Sequence, residues 1–477
     1  MDLGSNHLSG ILPTELGLMN KLTLLDLSNN KLSSVIPTEI GHLNSLLDLD
    51  LRVNMMTGSL PTEFGNLTQL TYLSVAASSF QGIVPRELGK LNKLIILNLI
   101  QNELTGSLPT ELANLTSMTY LGLSFNQFNM SIPTEFGNLA QLVYFNAGNN
   151  QLIGSLPSEL GYLKRLVNCT VNNNHITGTI PTELGNLTQL VSFFAYQNDL
   201  TGSLPSELGL LIDLTILSTF DNHITGTIPT ELGYLAEMSE FAAFTNNMTG
   251  PIPSELGRLT KLTFLSVEDN SITGTIPTEL GNLAQMSLLA AFTNYMTGSL
   301  PSELGRLTKM TYLSLEDNSI TGTMPTELGD LAHLVSFFIH ENDLTGSLPS
   351  ELGQLTGLDT LSAFNNQLNG SIPFEYGRLL HLLALDIHMN DLSSSLPSEL
   401  GLLVNLIYLD LSVNMFNNSI PSELGLLSEL QKFNVSLNHL TGTIPLSFGL
   451  LDDLCKSLSG VFHVTLYPTI SFFVRDH

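Results

Sequence analysis

Nine residues set 24 positions apart form the most chemically varied column of this chain: Tyr196, Phe220, Phe244, Glu268, Phe292, Glu316, His340, Phe364 and His388. Acidic residues follow directly at Asp221, Asp269, Asp317 and Glu341, and two further aromatics, Phe264 and Tyr312, stand four positions before the glutamates. A row of exposed rings and carboxylates is a recognition signal, not a reaction centre. His340 and His388 lie two intervals apart, roughly 10 Å if each interval is one strand of a sheet, too far for a single zinc ion. Glu268-Asp269 and Glu316-Asp317 offer oxygens to calcium but lack a compact loop of alternating ligands. No His-Glu-x-x-His, Gly-x-Ser-x-Gly, phosphate-loop or kinase signature occurs, so no catalysis, metal or cofactor is expected.

A packing explanation competes with ligand contact. Tyr196, Phe220, Phe244, Phe292 and Phe364 each follow a small residue, respectively Ala195, Thr219, Ala243, Ala291 and Ala363. That coupling lets each ring fill space that a leucine would otherwise take. Both readings remain open at the level of sequence.

The column exists because the chain is periodic. A proline recurs every 24 residues from Pro13 to Pro445, and after each one apolar residues fall at fixed offsets, in the first unit Leu16, Met19, Leu22, Leu25, Leu27, Leu32 and Ile36. Leu25-x-Leu27 has the period of a short strand, and Leu16-x-x-Met19-x-x-Leu22 suits a tight helical or 3₁₀ return. One unit alone cannot bury enough to offset the entropy of ordering its backbone, so units must stack. A 24-residue period with this leucine spacing predicts a leucine-rich-repeat solenoid of about nineteen units over 1–454, with an incomplete first unit and a non-repeat tail at 455–477. The tail, apolar and β-prone at 461–468, reads either as a misread end or as an improvised cap. Uncapped ends would invite self-association.

Three more columns carry structural expectations. Pro-(Thr/Ser)-Glu resembles a helix start, with Glu two places after the proline from Glu15 to Glu423 and Ser447 as the departure. Glycine four places after the proline, replaced once by Ala113, indicates either tight backbone approach or positive φ. Asparagine seventeen places after it, from Asn30 to Asn438, both donates and accepts where the strand turns. Ser78 is the exception and is expected to be a local weak point.

Composition narrows the partners. The 43 acidic residues against 16 basic ones leave a formal charge of -27, which disfavours nucleic acid and anionic membrane. Cys169 and Cys455 are the two cysteines, too few and too distant for a disulfide framework. No apolar run reaches the ~20 residues of a membrane span, so no direct membrane insertion is expected of this chain, and no leader is visible at Met1. Nine Asn-x-Ser/Thr sites, among them Asn168 and Asn434, mildly favour secretion.

The wording Leu-Thr-Gly-Ser-Leu-Pro-Thr-Glu-Leu at 104–112 and Ile-Thr-Gly-Thr-Ile-Pro-Thr-Glu-Leu-Gly at 176–185 resembles the plant-type leucine-rich repeat of receptor-like kinase and receptor-like protein ectodomains. The resemblance implies an α/β solenoid: a right-handed superhelix with a concave parallel β-sheet, short helical or 3₁₀ returns on the convex side, and extra β pairing beside the sheet. It also implies an extracellular or cell-surface setting and a protein, peptide or glycan ligand held on the concave or lateral face. A structural or adhesive wall protein is the alternative, since the regular Thr-Gly-Thr/Ser rows would also suit an ordered surface such as polysaccharide or ice.

Overall fold

The computed structural model describes residues 1–451 and 454, and over them each 24-residue unit adopts the same path. Inward leucines, isoleucines and phenylalanines form one continuous buried core; Leu49, Leu51, Leu73 and Val75 are fully buried, as is Cys169 to 1% exposure. The tail residues 455–477, Cys455 included, lie outside the described residues.

Three-residue strands from Leu24–Asp26 to Lys432–Asn434 build one parallel sheet of 18 strands, each paired with the next at a shift of one unit. Beyond each strand the ladder continues: the Asp221 N–H donates to the Phe244 carbonyl at 3.0 Å, and Asp269 to Phe292 at 3.1 Å. A second row of strands runs alongside, in stretches of six, two and ten. One gap in that row follows Met130, which stands where most units place a glycine with φ near 75°.

Every return is a five-residue 3₁₀ turn, from Thr14–Leu18 to Leu446–Leu450, and no α-helix forms among the described residues. The proline precedes this turn in an extended conformation, φ -72° and ψ 141° at Pro13, so it is the residue before the first helical position and not that position itself. Its carbonyl accepts the first bond, from the Leu16 N–H at 3.2 Å. Glu15 does lie in the first turn, but Thr14 Oγ1 bonds to its carboxylate at 3.3 Å instead of capping the backbone.

The glycine of each return has no positive φ; it is there for space. A Cβ on Gly209 would lie 2.5 Å from the Glu231 carbonyl oxygen, and one on Gly305 would lie 2.2 Å from that of Glu327. The units stack with backbone against backbone at this point. Ala113 is accommodated there at 5% exposure.

Besides the glycine of the second strand row, left-handed backbone recurs at the residue sixteen after the proline, with φ between 49° and 57° in every unit from Ser5 to Leu437. The asparagine that follows stabilises this turn. Asn30 Nδ2 donates to the carbonyls of Leu3, Leu27 and Ser28 at 2.9, 3.1 and 3.0 Å, and its Oδ1 accepts from the Leu8 N–H at 2.9 Å. Asn438 makes the same set to Leu411, Val435 and Ser436, and accepts from Phe416. Ser78 cannot reach these partners, and its Oγ is buried without a hydrogen bond among the described residues.

Two outcomes test this scheme. Replacing Gly209 with Ala should cost about 2 kcal/mol through overpacking, read by chemical denaturation. Ser78→Asn should slow amide exchange at 76–78 by about fivefold, towards the level around Asn102, since one recovered hydrogen bond contributes about 1 kcal/mol; unchanged exchange would remove the role given to the amide.

Candidate recognition face

The concave sheet carries the nine-residue column from Tyr196 to His388, and the one-unit register stacks its members directly. Tyr196 and Phe220 lie ring on ring with centroids 4.4 Å apart and planes 8° from parallel, and Phe220 and Phe244 repeat this at 4.3 Å and 7°. His340, Phe364 and His388 form a second stack at 4.1 and 4.5 Å. These spacings follow from the strand separation of a parallel sheet, which puts identical positions at stacking distance. The rings are half-buried, as are Phe292, Phe264 and Tyr312. They therefore pack on one another and also present an edge to solvent.

Glu268 and Glu316 do not face solvent. They occupy the column between Phe244, Phe292 and His340, with only 3% and 4% of their surface exposed. Ser266 Oγ donates to both Glu268 oxygens, at 2.8 and 2.7 Å, and Ser314 Oγ to Glu316 at 2.6 Å. Burial pushes both carboxyls up to about 7, more than the serine bonds lower them. As direct ligand contacts these two residues are withdrawn. The exposed acids are their neighbours Asp269 and Asp317, with Asp221 and Glu341, all at the left-handed position.

Burial pushes His340 down to about 4, so the ring is neutral near pH 7. Its Nδ1 lies 3.0 Å from Ser362 Oγ, but Ser362 is fully buried and out of reach of any substrate.

Sequence reasoning missed two features. Phe194 and Phe338, one position earlier in the outward alternation, meet the column edge-on at Tyr196 and His340, 6.4 and 6.3 Å between centroids. The signal was present, since both break a column that over 194–362 is otherwise held by serine and alanine. The other feature is a charged network closing the far end of the face. Asp386 bonds His388 Nδ1 at 2.5 Å and accepts from Tyr408 at 3.1 Å, while Asp410 accepts from Ser412 and Asn434 and lies 3.5 Å from Lys432 Nζ. Burial opposes charging His388, but the Asp386 bond and the Asp386 and Asp410 charges outweigh it and raise its pKa. Donor atoms of Asp386, His388 and Asp410 lie within 4.8 Å of one another, a possible cation grouping whose donors already hold protein partners. Asn434 Nδ2 is engaged in this network, donating to Asp410 Oδ2 and Ser412 Oγ at 3.0 Å each.

A concavity of about 790 Å³ lies off this face. It lies beside the Pro-Thr-Glu column and is lined by Ile83, Pro85, Pro109, Met130 and Pro133. Smaller versions of about 430 and 470 Å³ recur at Pro205–Pro229 and Pro157–Pro181, so the groove is a property of the repeat.

Comparison with known proteins agrees with this architecture. Residues 1–136 match the leucine-rich repeat region family, and residues 261–283 and 309–331 match the Leucine Rich Repeat family. The plant peptide hormone receptor RGFR1, solved in complex with RGF2, is similar at TM-score 0.90 and 35% identity, over 94% of this chain and 76% of that one. The Arabidopsis receptor kinase HAESA, solved with the peptide hormone IDA and the co-receptor SERK1, gives 0.89 and 33% over 93% and 74%. A Leptospira interrogans LRR protein, LIC12759, gives 0.62 and 31% over 79% and 93%. Among curated proteins none matches the chain in sequence. The chain belongs to the leucine-rich-repeat family, and its structural neighbours include ectodomains of plant receptor kinases. Among the described residues no helix is long and apolar enough to cross a membrane.

The buried carboxyls generate a pH test. Their folded pKa, about 7, lies above the ordinary 4.5, so the destabilisation is absent below pH 4.5, grows as pH rises and is complete above pH 7. At 1.36 kcal/mol per unit each glutamate costs about 3 kcal/mol there. Glu268→Gln with Glu316→Gln should raise the thermal midpoint at pH 8 and leave it unchanged at pH 4; an equal gain at both would contradict the assignment.

Proposed function

We propose that the protein is a non-catalytic recognition scaffold that binds a peptide or protein on its concave face, across the turns from Tyr196 to His388. The carrying observation is the in-register aromatic column: rings already locked by stacking, on a sheet whose backbone bonds are complete. Such a surface loses little conformational freedom when a partner docks. The site comprises Tyr196, Phe220, Phe244, Phe264, Phe292, Tyr312, His340, Phe364 and His388 with the flanking Asp269, Asp317 and Glu341. Similarity to RGFR1 and HAESA, both solved with peptide hormones, supports a peptide as the ligand class and an extracellular setting.

One observation favours the structural alternative. Eight consecutive units, from Thr177 to Thr345, present an exposed threonine on or directly beside the lateral strands, mostly followed two residues later by a second hydroxyl such as Thr179 or Thr227. A regular hydroxyl array suits an extended polysaccharide or ice surface.

A displayed random-peptide library panned against the whole chain separates the two. Saturable enrichment of peptides, reduced at least tenfold by Phe220→Ser, Phe244→Ser and Phe292→Ser in a variant shown by circular dichroism to remain folded, is the expected result. Enrichment indifferent to the rings would move the site off this face. An absence of peptide capture combined with binding to insoluble polysaccharide would establish the alternative.

A further inference from the structure

The charge on the concave face is segregated. From 191 to 389 the residues from ten to sixteen places after each proline include no lysine or arginine. The five basic residues of that stretch, Arg258, Lys261, Arg306, Lys309 and Arg378, all sit in or just past the returns. Basic side chains reach the face only near its ends, where each has a carboxylate partner: Arg52 with Asp50 at 3.2 Å and Lys432 with Asp410 at 3.5 Å. Between them Asp221, Glu240, Asp269, Asp317 and Glu341 are exposed, and none has a lysine or arginine within ion-pair distance among the described residues. A field of one sign left uncompensated by the protein itself is complementary to a ligand of the other.

The acids also keep a beat. Asp221, Asp269 and Asp317 recur every two units, and with neighbouring rings 4.1 to 4.5 Å apart that interval is roughly 8 to 9 Å. A peptide in the polyproline II conformation advances ~9.3 Å in three residues and returns to the same face. A β-strand repeats its face every ~6.7 Å and misses the beat. The half-buried rings beside the acids add an apolar flank along which the methylenes of a basic side chain can lie while its charged head meets the carboxylate.

We propose that the face recognises a cationic peptide in the polyproline II conformation, lying along the solenoid with a basic residue at every third position, each over one of Asp221, Asp269 and Asp317. This rests on the peptide-binding reading above and specifies the ligand.

The probe is the dodecapeptide (Arg-Pro-Pro)₄, titrated calorimetrically into the whole chain, against a control of the same composition with its four arginines in one block. The phased peptide should bind at least tenfold tighter, weaken as salt is added, and lose at least tenfold on Asp221→Asn with Asp269→Asn and Asp317→Asn. Those changes are safe for the fold, because Asn149, Asn173 and Asn365 hold the same left-handed position. Equal affinity for both peptides, or indifference to the asparagines, overturns the proposal. If library peptides of neutral charge bind while (Arg-Pro-Pro)₄ does not, this inference falls and the peptide-binding reading stands; if no peptide binds, both fall.

Discussion

One side-chain amide per unit holds this molecule in register. The asparagine at the end of each concave strand, buried to 8% exposure at Asn102, donates to the carbonyls of Val75, Leu99 and Ile100 and accepts from the Phe80 N–H. It thus spans two units while closing the turn of its own. Without it the left-handed residue before it would leave inward-pointing carbonyls in an apolar core, where each unpaired group costs roughly 1–3 kcal/mol. The leucines make stacking favourable, but they are interchangeable along the axis and would tolerate a slip. The amide does not.

Fixed register has a consequence for the surface that no single unit contains. Identical offsets fall at strand spacing, so whatever occupies a column meets its own kind or its neighbour's choice at about 4.8 Å. Rings in the column stack and stabilise one another. Carboxylates there are enclosed between rings, and that burial keeps Glu268 and Glu316 near the point of protonation. The acids one position later escape this, because the left-handed turn swings them out into water.

The period, the strands, the 3₁₀ returns, the asparagine ladder and its flaw at Ser78 were legible in the sequence, since each is a local rule repeated many times. What was not legible depends on contacts between units. Glycine at Gly209 could mean positive φ or crowding, and only the position of the Glu231 carbonyl decides for crowding. The proline looked like a first helical residue, yet the turn it precedes is too short to need one. Glu268 alternates outward by count, but the small Ser266 before it leaves room for its chain to fold down among the rings. Alternation states direction at the Cα, and length and neighbours decide where a long side chain ends.

Copying of units shaped this face without accounting for all of it. Stretches 229–276 and 277–324 are near duplicates of two units each, and this explains why Phe244-Glu268 is followed by Phe292-Glu316. It explains Asp269 and Asp317 in the same way. It does not explain Asp221, which precedes both copies, follows a phenylalanine instead of a glutamate, and still falls on the two-unit beat. Nor does it explain why this left-handed position is aspartate at Asp221, when Asn149, Asn173 and Asn365 fill it elsewhere and either residue meets the backbone requirement equally. The backbone selects the short polar side chain; the negative charge is an addition that the fold does not need.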